Sequence, residues 1–169
     1  MIDGAEEILG YLKKQGLKIG IVSNTIFPER FHLSELKRFR LYPYLDFHVF
    51  SSTVSVRKPH PRIFQQALDN LMVDASQAVF VGDRLVEDVG GAQQAGMKGI
   101  LKYHEGRDYT APIIPDVQIN ELNELKRVVS GADSQDSDWS SLAPMGDTAA
   151  VAKAWVAPEL RLLPVSNCF

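Results

Sequence analysis

Apolar residues recur along the chain in two rhythms. Ala5, Ile8, Leu9 and Leu12 fall on one face at helical spacing, with Glu6, Glu7, Lys13 and Lys14 elsewhere, and Gly16 predicts the stop. Lys18-Ile-Gly-Ile-Val22 is a short β-branched run of the kind buried on both faces of a sheet, and it ends in polar Ser23-Asn24-Thr25. Pro28 can open a second helix carrying Phe31, Leu36 and Phe39. Phe47-His-Val-Phe50 predicts another strand, and Ile63, Phe64, Ala67, Leu68 and Leu71 predict a strongly patterned helix after Lys58-Pro59-His60-Pro61. Ala78-Val-Phe-Val81 gives a third buried strand ending at Gly82-Asp83. The stretch after Asp83, through Gly90-Gly91-Ala92 to Gly96, is rich in small residues and suggests a helix lying close to the sheet. Gly99 to Tyr103 supplies a fourth strand, Val117-Gln-Ile119 a short edge strand, and Leu122, Leu125 and Val129 a last helix. Strands alternating with helices in this way predict an α/β domain, a parallel sheet with helices on both faces.

Near Ser130 the rhythm stops. Gly131-Ala-Asp-Ser-Gln-Asp-Ser-Asp-Trp-Ser-Ser141 has no apolar period, so the expected division is a core over residues 1–130 and a polar linker with a poorly defined tail over 131–169. Within that tail, Thr148 to Val156 is expected to form a short Ala-rich helix.

Composition narrows the classes. With 45% hydrophobic and 23% charged residues the chain resembles an ordinary globular protein, and no apolar run approaches the roughly 18 residues of a membrane span. Acids stand at the N-terminus where a signal peptide would carry basic residues, which favours a cytoplasmic setting. Cys168 is the single cysteine, so internal disulfides and cysteine metal clusters are excluded. A net charge of -3 gives no basic excess for nucleic acid, while a small anionic ligand stays compatible with a locally positive site.

The polar groups that matter follow the strands. Ser23 and Asn24 come after the first, Lys58 after the second, and Asp83 with Asp88 after the third, at the edge where open α/β sheets bind ligands. Hydroxyl and backbone N–H donors, a lysine and paired acids are the parts that phosphoryl transfer needs. Each has a plainer reading: Ser23-Asn24 or Asp83 as helix caps, Lys58 as a solvated lysine, Asp88 as an exposed first-turn acid. Arg57, Arg84 and Glu87 read as surface or substrate-tuning residues, and His60 as a turn residue; His32, His48, His60 and His104 lack metal-ligand spacing.

Ile21-Val-Ser-Asn-Thr25, Arg57-Lys-Pro-His-Pro-Arg-Ile-Phe64 and Val81-Gly-Asp-Arg-Leu-Val-Glu-Asp88, with Gly90-Gly91-Ala92 and Ala95-Gly96-Met97, resemble motifs two, three and four of the haloacid dehalogenase superfamily. The resemblance covers roughly residues 3–130 and implies a three-layer, Rossmann-like core. It implies that Ser23 and the Asn24 backbone hydrogen-bond a phosphoryl group, that Lys58 neutralises its charge, that Asp83 ligates magnesium (Mg2+), and that Asp88 ligates it or orients its waters. The implied activity is hydrolysis of a small phosphorylated metabolite, a phosphate monoester, through an aspartyl-phosphate. A two-component receiver domain shares a hydroxyl and a lysine, but its acids precede them along the chain.

The family's first motif, a strand ending in Asp-x-Asp-x-Thr that carries the nucleophile, has no counterpart before Ser23. The resemblance puts that central strand and the cap upstream of Met1. The expectation is an inactive chain whose strands ending at Ser23 and Asp83 are left with unpaired edges. Asp136-Ser-Asp138-Trp-Ser140 matches the pattern on paper, but polar Gly131 to Gln135 before it cannot be a buried strand. The competing reading is a non-catalytic phosphate-binding or protein-interaction module.

Overall fold

The computed structural model describes residues 4–130 and 152–155, the latter as main chain. The elements are α1 (Ala5–Lys14), β1 (Lys18–Ser23), α2 (Glu29–Arg38), β2 (Phe47–Phe50), α3 (Pro61–Leu71), β3 (Val79–Gly82), α4 (Gly91–Gln94), β4 (Lys98–Lys102), β5 (Val117–Ile119), α5 (Leu125–Ser130) and β6 (Ala152–Trp155). The sheet runs β2-β1-β6-β3-β4-β5 and every neighbouring pair is parallel. All strands therefore end at one rim.

Alternation along the strands divides the core between the two faces. Ile19, Ile21, Val79 and Val81 pack on one side with Ile8, Leu9 and Leu12 of α1, Leu36 of α2 and Leu125 and Val128 of α5. Val22, Ala78 and Phe80 point the other way, into Ile63, Phe64, Ala67 and Leu68 of α3 and Ala92 of α4. The period-two strands and the apolar stripes of the helices thus make the expected three layers.

Three expectations need correction. Ala152–Trp155 is a strand, not part of a helix, and this piece of the expected tail belongs to the sheet. The edges of β1 and β3 are consequently paired: Gly20 and Phe80 both stand opposite Ala154. The reason is physical. A short Ala-rich stretch gains little as an isolated helix, whereas a slot between two buried parallel strands offers partners for the hydrogen-bonding groups on both sides of its backbone. Lastly, α2 begins after Pro28 as expected, but it buries Leu36 alone and leaves Phe31 47% exposed. The Asp136 to Ser140 match lies outside the described residues.

Between β3 and α4 the chain makes one turn of π-helix, Leu85–Gly90, within the stretch after Asp83 where an ordinary helix was expected. Glycine is required on both sides of it. A Cβ at Gly82 would collide with the Asp88 side chain, and one at Gly91 would lie 2.7 Å from the Phe64 ring and 3.0 Å from the Pro59 backbone. The small residues therefore let this turn sit directly against the strand end and against the Lys58-Pro59 segment.

Candidate active site

The rim gathers the sequence-predicted residues from three strand ends. Lys58, 6% exposed, places its ammonium 2.5 Å from Oδ1 of Asp88, itself 2% exposed. The other carboxylate oxygen of Asp88 accepts a hydrogen bond from the Arg84 backbone at 3.0 Å. The Lys58 ammonium also lies 5.2 Å from the centre of the Phe80 ring, over its face. Lys58 is thus neither a solvated lysine nor Asp88 an exposed first-turn acid. A charge so deeply buried persists only when paired and hydrogen-bonded.

Asn24 fixes the lysine from the neighbouring strand. Its amide nitrogen donates to the Lys58 carbonyl at 2.9 Å, and its oxygen accepts from the Lys58 N–H at 2.8 Å. This two-point clamp joins the ends of β1 and the segment before α3, and it is a role of the side chain where the sequence suggested one for the backbone. Neither Ser23 nor Asn24 caps a helix, because α2 starts at Glu29 with Pro28 in the N-cap position. Ser23 closes β1, half-buried, and its carbonyl accepts from the Ser51 N–H at 2.9 Å. Among the described residues no hydrogen bond reaches its hydroxyl.

Asp83, 3% exposed, follows β3 directly. Its side chain does not cap the turn that follows. It accepts instead from Arg107, whose Nη2 and Nε lie 2.7 and 3.0 Å from Oδ2. Arg107 stands in the loop after β4, and this loop is bound to the rim by Tyr109, whose hydroxyl is 3.3 Å from the Asp83 carbonyl. Burial pushes the Tyr109 phenol above its ordinary pKa. Neither residue was legible in the sequence, since a lone arginine in a polar loop carries no pattern.

His60 is the N-terminal turn residue of α3, accepting from the Arg62 N–H through Nδ1 at 3.2 Å. Arg84 pairs with Glu87 at 3.5 Å, on the half-exposed side of the π-turn. Among the described residues no three His, Cys, Asp or Glu side chains gather. Asp83 and Asp88 are nonetheless a donor set suited to magnesium, which commonly takes one or two carboxylates and completes its shell with water and phosphate oxygens. No helix among the described residues is long and apolar enough to cross a membrane.

Comparison with known proteins agrees with this geometry. The family model described as "Haloacid dehalogenase-like hydrolase" matches residues 1–102. The glyceraldehyde 3-phosphate phosphatase of Pyrococcus furiosus is 30% identical over 148 residues, covering 81% of this chain and 58% of that protein. The solved 2-haloacid dehalogenase of Pseudomonas syringae superposes with a TM-score of 0.67 at 31% identity, covering 78% of this chain and 54% of the other. A magnesium-bound hydrolase of the same family from Bacillus subtilis gives 0.69 at 25% identity, covering 75% and 55%. The chain spans a little over half the length of these relatives. A family match over more than half of its residues, an α/β parallel sheet shared with the solved structures and the buried lysine–carboxylate pair at the sheet's rim lead to one assignment: this chain belongs to the haloacid dehalogenase-like hydrolases.

Proposed function

We propose that this chain carries the phosphate- and magnesium-holding part of a phosphohydrolase site for small phosphate monoesters. The observation that carries the reading is the buried Lys58–Asp88 pair, set beside Asp83 and clamped by Asn24 at the common end of the strands. In this reading the Ser23 hydroxyl and the Asn24 N–H donate to non-bridging phosphoryl oxygens. Lys58 offsets their charge, and Asp83 and Asp88 hold magnesium. The metal, when bound, would add a further positive charge against the phosphoryl oxygens. A phosphorylated metabolite is retained inside the cell by its charge, which goes with a cytoplasmic setting. The phosphatase name of the Pyrococcus furiosus relative supports a small phosphorylated substrate, and so does the pairing of a lysine with cation-binding acids.

Hydrolysis through an aspartyl-phosphate needs a carboxylate nucleophile at the same rim. No Asp-x-Asp-x-Thr stands before Ser23, and Ala152–Trp155, the strand between β1 and β3, has no acid in its sequence. The expected outcome for the 169-residue chain is binding of inorganic phosphate with magnesium, seen by calorimetry and lost in Lys58→Met, without turnover of p-nitrophenyl phosphate. Turnover that disappears in Asp83→Asn would show that the nucleophile is already present. No phosphate binding at all would remove the reading. The same strand sequence favours, for this chain alone, the second reading of a non-catalytic phosphate-binding module, which a detectable rate of p-nitrophenyl phosphate turnover by the pure chain would rule out.

A further inference from the structure

The Arg107–Asp83 contact does more than tie down a loop. Both guanidinium hydrogen bonds end on one carboxylate oxygen, Oδ2 of Asp83, at 2.7 and 3.0 Å. An oxygen accepting two charge-assisted hydrogen bonds has little lone-pair density left for a cation. Lys58 meanwhile holds Oδ1 of Asp88. Each acid at the rim therefore already has its own positive partner, and the two partners differ. Lys58 is buried and clamped by Asn24, whereas the Arg107 side chain is 24% exposed and comes from a loop at the surface.

That loop is nevertheless held in place. Tyr109, Ala111 and Ile113 pack on Leu85, Val89 and Leu101, and the Tyr109 hydroxyl accepts from the His104 N–H at 3.0 Å. Arg107 follows the positive-φ turn residue Gly106, and its long side chain, partly open to solvent, has rotatable bonds enough to turn away from the rim without moving the backbone.

Resting on the proposed magnesium site, we infer that Arg107 is a displaceable counter-ion of Asp83: guanidinium and divalent cation compete for Oδ2, and Arg107 sets how tightly the cation is held. It acts through Asp83 and is a positioning residue. While bound, it keeps a buried carboxylate compensated and aimed along the rim; once released, its charge moves outward to the mouth of the site.

The test uses Mn2+ as the probe, followed by its electron paramagnetic resonance in the 169-residue chain. Arg107→Gln should tighten Mn2+ binding about tenfold, the size expected on removing a competing hydrogen bond to a charged group. Arg107→Lys should fall between the two. In the wild type, the Arg107 Nε–Hε resonance should shift as magnesium is added, and it should stay still in Asp83→Asn. An unchanged or weakened Mn2+ affinity in a folded Arg107→Gln chain, with wild-type binding still abolished by Asp83→Asn, would overturn the inference and leave the proposed function standing. No Mn2+ binding by the wild type would overturn both.

Discussion

At the residue scale the Lys58–Asp88 pair sets the strongest constraint. Removing one member leaves the other buried without a partner, a loss of about 3–5 kcal/mol in comparable cases. Lys58→Met should therefore lower the urea midpoint markedly, and Lys58→Met combined with Asp88→Leu should recover part of the loss, because two apolar side chains fit where one charge does not. Asn24→Ala removes two hydrogen bonds from the Lys58 backbone and should reduce stability by about 1–3 kcal/mol, with weaker phosphate binding in calorimetry. His32 gives the pH dependence. Its ring stacks on Phe50 at 4.6 Å, its Nε2 lies 2.8 Å from the Thr25 hydroxyl, and burial holds its pKa below the ordinary 6.5. A depressed folded value means that the neutral ring's contribution to stability is complete above the unfolded value and is lost as pH falls through the folded one. The drop in denaturation midpoint from about pH 8 to pH 5 should thus be shallower in His32→Gln than in the wild type; equal slopes would contradict it. Ser23, Lys58, Asp83 and Asp88 were legible because strand ends in a parallel sheet share an edge, so three short motifs in order fix one place. Arg107 and Tyr109 were not, because they reach Asp83 from a loop without any periodic pattern. The side-chain role of Asn24 was hidden for the same reason: its partner is a backbone unit 34 positions away.

At the scale of elements, the π-turn Leu85–Gly90 decides how the rim closes. It carries Asp88 back over Gly82, and Gly91 lets α4 lie against Phe64 and Pro59. Gly91→Val should overpack this junction and cost about 1–3 kcal/mol, read as a lower thermal midpoint, since the nearest atoms include backbone of the Lys58-Pro59 segment that cannot rotate aside. The helices and buried strands were readable from apolar spacing, as α1 and α3 show: the expected stripes Ala5, Ile8, Leu9, Leu12 and Ile63, Phe64, Ala67, Leu68, Leu71 are the residues they bury. The π-turn was not readable, because its one extra residue per turn arises from packing between Gly82 and Gly99 and not from a local preference. β6 escaped for a related reason. Ala-Lys-Ala-Trp has no strong strand propensity, and it becomes a strand through the two open edges that receive it.

For the whole molecule, the central position of β6 makes the sheet one cooperative unit. Without it, β1 with β2 and β3 with β4 and β5 would be joined by the helices alone. A chain ending at residue 130 should therefore lose the single sharp unfolding transition and gain a tendency to associate through the exposed edges, seen in light scattering. A truncated chain as stable and monomeric as the full one would show that β6 is dispensable. The same arrangement bears on the order of events during synthesis. The residues that join the two halves of the sheet leave the ribosome after every other described strand, so β1 and β3 wait, fully translated, for a partner 134 residues behind Lys18. A nascent chain paused before that point exposes two backbone ladders at once, the feature that makes incompletely folded sheets prone to wrong pairing.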